Sequence, residues 1–176
     1  MLPREITTER LLLRVPVPED AQRIFASYAQ DMEVTRYLTW RPSKKLADAE
    51  HHIHDRILAW RRGNICAWSM IETKRDLLIG MIELRVKDGV ADAGYVVARS
   101  EWGKGYATEA LMAVIDAGLA LPEVERVAAI CDVENLASAR VMEKAGMVRD
   151  GVLQRHMVHP NIAEEPRDLY SYAISK

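Results

Sequence analysis

The feature that most limits the fold of this chain is a change of pattern near Ala98. Before it, three strand-like runs, Ile65 to Glu72, Leu77 to Lys87 and Ala91 to Ala98, are separated by turn residues at Asp76 and Asp88-Gly89. Short connections of that kind predict an antiparallel meander. After it come a loop from Ser100 to Lys104, a helix from Gly105 to Leu119 and a strand from Arg126 to Cys131. A strand, a helix and another strand in that order predict a right-handed crossover between parallel strands. The run Val127-Ala128-Ala129-Ile130-Cys131 is unbroken and apolar, the pattern of a strand covered on both faces.

The flanking segments complete a mixed sheet. Arg10 to Val15 reads as a strand stopped by Pro16-Val17-Pro18, and Glu19-Asp20 open a helix through about Tyr28. A helix from Lys45 to Arg62 places Ala49, Ile53, Ile57 and Trp60 on one face and ends at Gly63-Asn64. A helix from Leu136 to Ala145 ends at Gly146, and two strands follow, near Met147 to His156 and Leu169 to Ile174. No repeat or linker divides the 176 residues. We therefore expect one domain over residues 1–176, of mixed α/β (α+β) class: about seven strands in a twisted sheet, flanked by about four helices. Its size lets it bury roughly 70% of the unfolded surface without staples.

Charge narrows the function. With 24 Lys plus Arg against 26 Asp plus Glu, no net field draws the chain to nucleic acid or anionic lipid, so neither is expected as a partner. The longest nearly apolar run, Ala110 to Leu121, contains Asp116 and falls short of the ~20 residues of a membrane span. Two cysteines, Cys66 and Cys131, and a start without a secretory pattern lead us to expect a cytoplasmic protein.

The chemistry concentrates in Trp102-Gly103-Lys104-Gly105-Tyr106-Ala107-Thr108, between a strand and a helix. Glycines let a backbone turn tightly, and the unbonded amides of a helix start carry partial positive charge, so such a loop suits a diphosphate. Lys104 adds a charge and Thr108 a hydroxyl. A dinucleotide site competes for this reading, with Asp132 as its ribose-binding acid. Against it, Thr108 stands where a third glycine would fall, and Arg99-Ser100-Glu101 intervenes after the strand.

Several segments in order now carry a resemblance: Thr8-Glu9-Arg10-Leu11-Leu12-Leu13-Arg14, Gly94-Tyr95, Trp102 to Ala110, Asn135-Leu136-Ala137-Ser138 and Lys144-Ala145-Gly146-Met147. Together they resemble the GNAT superfamily of acetyl-CoA-dependent N-acetyltransferases, in the branch of the ribosomal-protein N-terminal acetyltransferases. The resemblance implies acetyl-CoA as co-substrate, no metal, an amine acceptor (a peptide N-terminus or a small molecule), and leaves room for a homodimer. It implies that Trp102, Gly103, Lys104, Gly105, Tyr106, Ala107 and Thr108 hold the diphosphate, and that the pantetheine arm enters a gap between the strands at Ala91–Ala98 and Arg126–Cys131. Val97 would meet the arm through its backbone and Asn135 through its side chain, although Asn135 is equally an N-cap candidate. Ser138 matches the position of a general acid for the departing thiolate, with Tyr170 or Tyr172 as substitutes. Asp92, then Glu83, are the candidates to accept the amine proton, set against the plain alternative that strand carboxylates face water.

Other residues read differently. His51, His52 and His54 fall in one helix without a matching ligand set, so no zinc site is expected. His156 and His159 flank the last hairpin, where they would line an acceptor pocket or sit at the surface. Cys131 reads as core rather than nucleophile, which implies direct transfer in a ternary complex. Trp40, Trp60 and Trp68 read first as packing residues; the resemblance also puts Trp40, with Tyr37, in the segment that borders the acceptor entrance. A non-catalytic acyl-CoA-binding module and a dinucleotide-dependent oxidoreductase stay open as alternatives.

Overall fold

A computed structural model describes residues 1–63 and 65–176. Asn64, named above as part of a helix stop, lies outside the described residues. Eight strands form one sheet in the order β1-β2-β3-β4-β5-β6-β8-β7. They are β1 Glu5–Thr7, β2 Leu11–Arg14, β3 Cys66–Glu72, β4 Leu77–Lys87, β5 Val90–Val97, β6 Arg126–Asp132, β7 Val148–Met157 and β8 Arg167–Ser175. The helices are α1 Asp20–Ile24, α2 Met32–Thr35, α3 Leu46–Arg62, α4 Tyr106–Leu119 and α5 Leu136–Lys144. The expected mixed α/β class stands, with one strand more than expected at the N-terminal edge.

One helical expectation changes and one helix is added. The helix expected through Tyr28 is α-helical only to Ile24 and continues as one wide π-turn, Phe25–Ala29. Helix α2 is then started by Asp31, whose carboxylate accepts from the amides of Glu33 and Val34.

Side-chain alternation divides the core into two layers. On one face Ala21, Ile24, Tyr28, Ala49 and Ile53 pack against Ala67, Ile71 and Met81 of the sheet. On the other, α4 contributes Ala110, Leu111, Val114 and Ile115, packed with Ile82, Leu84, Ala93, Val127 and Ala129. Burial of apolar side chains on both faces supplies most of the stabilisation. At the far end the coverage is lopsided, because Ala128 and Ile130 on β6 are only half-buried while Val127, Ala129 and Cys131 are buried. The expectation that β6 is covered on both faces is therefore corrected: α1 and α3 do not reach across it, and that face of the sheet stays open.

The parallel pair at the crossover is short. Strand β5 meets β6 only at Val90↔Arg126, Ala91↔Val127, Asp92↔Ala128 and Ala93↔Ala129. Beyond Ala93 the two strands diverge, while β4 still pairs with β5 as far as Val97 and β8 still pairs with β6 as far as Asp132. The sheet thus contains a wedge-shaped gap at its centre. No helix among the described residues is long and apolar enough to cross a membrane.

Candidate active site

The gap exposes main-chain groups on β5. Ala98 N donates to Ile79 O at 2.7 Å, and in an antiparallel ladder the next residue back then turns its own amide and carbonyl to the opposite edge. Val97 therefore faces the gap. Its carbonyl accepts the Trp102 indole Nε1–H at 2.8 Å, so of Val97's two backbone groups the amide is the one left for a ligand. Trp102 is half exposed, and its ring braces the strand end rather than heading the loop as a diphosphate donor.

At the mouth of the gap the chain passes through Gly103 (φ 76) and Gly105 (φ 85), both in the left-handed region that a Cβ disfavours. Gly105 starts α4 without a side-chain cap. Among the described residues, the amides of Gly103, Lys104, Gly105, Tyr106, Ala107 and Thr108 have no protein acceptor; the first loop-to-helix bond is Glu109 N to Gly105 O at 3.0 Å. Unbonded amides around a helix start are an arrangement that can cradle an anion. The Lys104 side chain is tethered rather than mobile, donating from Nζ to Glu101 at 3.0 Å. Glu101 is buried and also accepts from Arg75 at 2.8 and 3.2 Å. The Arg75 guanidinium, with Lys104 beside it, holds the Glu101 carboxyl down at about 2 against the opposing effect of burial.

The cradle is fixed from behind by the β1–β2 turn. Glu109 accepts from Thr8 Oγ1 at 2.6 Å, Arg10 N at 2.8 Å and Arg10 Nε at 2.7 Å. Arg10 also donates to the Lys104 carbonyl at 2.9 Å and lies over the Tyr106 ring at 4.6 Å. Burial works to raise the Glu109 carboxyl, but these hydrogen bonds outweigh it and leave it below its ordinary value. The segments Thr8-Glu9-Arg10 and Thr108-Glu109 thus form one hook.

On the α4 face of the gap, the Tyr95 hydroxyl lies 2.8 Å from Ser138 Oγ and 3.2 Å from the Ser138 carbonyl. Burial pushes the Tyr95 hydroxyl up, with Ser138 pulling the other way. Asn135 caps α5, its Oδ1 accepting from Ser138 N at 3.2 Å. Cys131 is beside them, its thiol raised to about 11 by burial and then by Asp132, which makes it a poor nucleophile at neutral pH. Tyr172 donates instead to Glu143 at 2.8 Å and is buried, so it is no substitute for Ser138. Tyr95, quoted above only as part of a motif, is the hydroxyl that meets Ser138.

The opposite, half-open face carries the charges. Both Glu83 oxygens are held, by Arg56 at 2.9 Å and by Arg85, so Glu83 is poorly placed to take a proton. Asp92 is half exposed, 3.6 Å from Arg85. Burial raises its carboxyl, Arg85 lowers it and Glu83 raises it. Trp40 packs near His52 at 5.9 Å, while His51 and His54 are exposed. Asp132 is fully buried and bound by Arg167 at 2.5 and 3.1 Å. It is unavailable to a ribose, and the dinucleotide reading fails on that contact.

Comparison with known proteins agrees with this fold. The family profile described as an acetyltransferase (GNAT) domain matches residues 10–148. The uncharacterized N-acetyltransferase YnaD of Bacillus subtilis strain 168 is 32% identical over 171 residues, covering 96% of this chain and 95% of that protein. A GNAT-family acetyltransferase from Bacillus anthracis superimposes with a TM-score of 0.84 at 29% identity, over 97% of this chain and 98% of its own. The microcin C7 self-immunity acetyltransferase MccE, solved in complex with acetyl-CoA and AMP, shares the fold at a TM-score of 0.88 and 18% identity, over 99% and 97%. With a family match across most of its length and a relative above 30% identity along nearly all of it, this chain belongs to the GNAT acetyltransferase family, as an N-acetyltransferase.

Proposed function

We propose that the protein transfers the acetyl group of acetyl-CoA to a primary amine by direct attack in a ternary complex. The observation that carries this is the row of unbonded amides from Gly103 to Thr108 beside an opened sheet edge. A diphosphate fits the first, and the amide groups of a pantetheine arm fit the second much as an added strand would. That MccE holds acetyl-CoA on the same fold supports the pairing.

In this reading the Val97 amide and Asn135 Nδ2 hold the arm, which brings the thioester between Tyr95 and Cys131. Ser138, backed by the Tyr95 hydroxyl, protonates the departing thiolate. The raised Cys131 thiol argues against an acetyl-cysteine stage. On the open face Asp92 and Glu83 are paired with Arg85 and Arg56, and Tyr37 with Trp40 borders the entrance. An α-amine at a peptide N-terminus and a small-molecule amine both fit an open cleft.

The test is titration calorimetry with acetyl-CoA, then free-thiol release over a panel of peptide and small amines. Binding with acceptor-dependent thiol release is expected. Absence of acetyl-CoA binding refutes the reading, and binding with no thiol release from any amine would leave a binding module.

A further inference from the structure

His159 is the buried group that the scheme above leaves unused. It lies on the β7–β8 connection with a side chain only 5% exposed, and neither ring nitrogen has a hydrogen-bond partner among the described residues. Buried polar atoms are nearly always bonded in native proteins, so two on one imidazole call for a ligand or a proton. Its Nε2 is 3.8 Å from Asp132 Oδ2. The register places Asp132 level with Val96 across the gap, three residues beyond the last paired rung, Ala93↔Ala129. Val96 packs with the layer that contains Trp40, so Asp132 and His159 meet the gap on the open, acceptor-side face.

The connection is anchored there. Asn161 donates to the Thr35 and Trp40 carbonyls at 2.7 and 2.8 Å, and the Tyr37 ring meets the His159 imidazole edge-on at 6.4 Å. By contrast, Asp92 is level with Ala128, where β5 and β6 still pair, and its neighbour is Arg85. Glu83, level with Gly94, is held by Arg56 and Arg85, so the imidazole is the buried group there without such a partner.

We propose that His159, beside Asp132, takes the proton that the acceptor amine sheds. The inference rests on the acetyl-transfer reading above. An ammonium loses two protons on becoming an amide. The first passes to the His159 imidazole and on to solvent, freeing the lone pair to form the C–N bond. The second passes from the nitrogen to the imidazole, neutral again by then, as the C–S bond breaks, while the thiolate takes a proton from Ser138, which regains one from solvent. Asp132 is a positioning residue that acts by charge: its carboxylate, bound by Arg167 and 3.8 Å from Nε2, stabilises the imidazolium without bonding the ring. The groups facing the ring are Asp132 of β6, Arg167 of β8, Tyr37 and the Leu38 carbonyl. Burial lowers the imidazole first, Asp132 raises it, Arg167 lowers it and the Leu38 carbonyl raises it, and the net direction is below the ordinary value. A neutral imidazole is the form that accepts a proton.

The experiment measures thiol release with acetyl-CoA and either trialanine amide or spermine, for wild type, His159→Gln and His159→Ala, from mildly acidic to alkaline pH. Expected are unchanged acetyl-CoA affinity by calorimetry and a fall in kcat/KM of about 10²-fold or more at neutral pH. The deficit should shrink at alkaline pH, where water removes the proton unaided, and free imidazole should partly restore His159→Ala. A loss below about threefold, or one equal at every pH and unanswered by imidazole, overturns the assignment. If both variants unfold, the wild-type profile decides. On the acid side it must steepen from one proton, owed to the amine, to two; a single slope throughout refutes the role. A wild type that fails to bind acetyl-CoA or releases no thiol with either amine removes the underlying reading before any substitution is made.

Discussion

Replacing Glu101 by Gln is expected to cost about 2 kcal/mol at neutral pH and to flatten the protein's response to acid. The side chain is 3% exposed and, besides a long hydrogen bond from the Ser100 hydroxyl at 3.4 Å, receives two from Arg75 and one from Lys104. Arg75 and Lys104 lower its carboxyl from the ordinary 4.5 to about 2, a shift equivalent to about 3 kcal/mol at 1.36 kcal/mol per unit. Arg75 and Lys104 are 44% and 46% exposed, so solvent screening reduces the figure to about 2 kcal/mol. Because the folded value is the lower one, this stability is present above pH 4.5 and disappears as pH falls toward 2. Urea unfolding of wild type and Glu101→Gln across that range isolates the effect from the other paired carboxylates, and the thermal midpoint at neutral pH should fall by about 4–8 °C. Two stability curves that run parallel from neutral pH down to pH 2 would refute the reasoning. Lys104 is also released by the substitution, so the loop that carries the amide cradle loses one of its two anchors.

Two further outcomes test the cradle and the acid. Gly105→Ala adds a Cβ at φ +85 and 3.3 Å from the Arg10 guanidinium, which costs about 1–2 kcal/mol of backbone strain; acetyl-CoA affinity by calorimetry should fall about tenfold. Ser138→Ala should lower kcat with little change in the KM for acetyl-CoA, and adding Tyr95→Phe should cost almost nothing more, because the two hydroxyls act through one hydrogen bond. Fully additive losses in the double variant would separate them.

What could be read along the chain is what local chemistry writes there. Strand β4 is bounded as expected, because Asp76 and Asp88-Gly89 are turn residues on either side of a largely apolar run, and the two glycines of the cradle announce their left-handed geometry. Strand β1 was missed because three residues, paired only to β2, carry too short a pattern. The π-turn after Ile24 leaves the apolar spacing nearly unchanged, so the sequence reads on as ordinary helix. The apolar run of β6 suggested cover on both faces, but alanine and isoleucine also line a cleft. Most of the site's polar architecture is long-range: Arg10 meets Glu109 across 99 residues and Arg167 meets Asp132 across 35. Such pairs leave no period in the sequence, and so Asp132 looked like a ribose acid and His159 like one of two hairpin histidines.

The gap itself follows from how the ladders are shared out. Strand β5 is paired along its whole length to β4, from Lys87↔Val90 to Gly80↔Val97, and β6 along its whole length to β8, from Arg126↔Ser175 to Asp132↔Leu169. Each half of the sheet is therefore complete without the other, and only four rungs join them. Neighbouring strands rotate by roughly 20–25°, so two rigid halves joined at one end separate at the other. Closing the gap would mean breaking ladders that are already satisfied, with Tyr95, Cys131 and Ser138 packed beneath it. The cleft is thus a built-in feature that needs no ligand to open it. The β5 edge there is left unpaired by protein beyond Ala93, apart from the Val97 carbonyl that Trp102 takes. A ligand with amides along its length, anchored by a diphosphate at the end where Gly103 to Thr108 present their own, fits the edge and the loop at once.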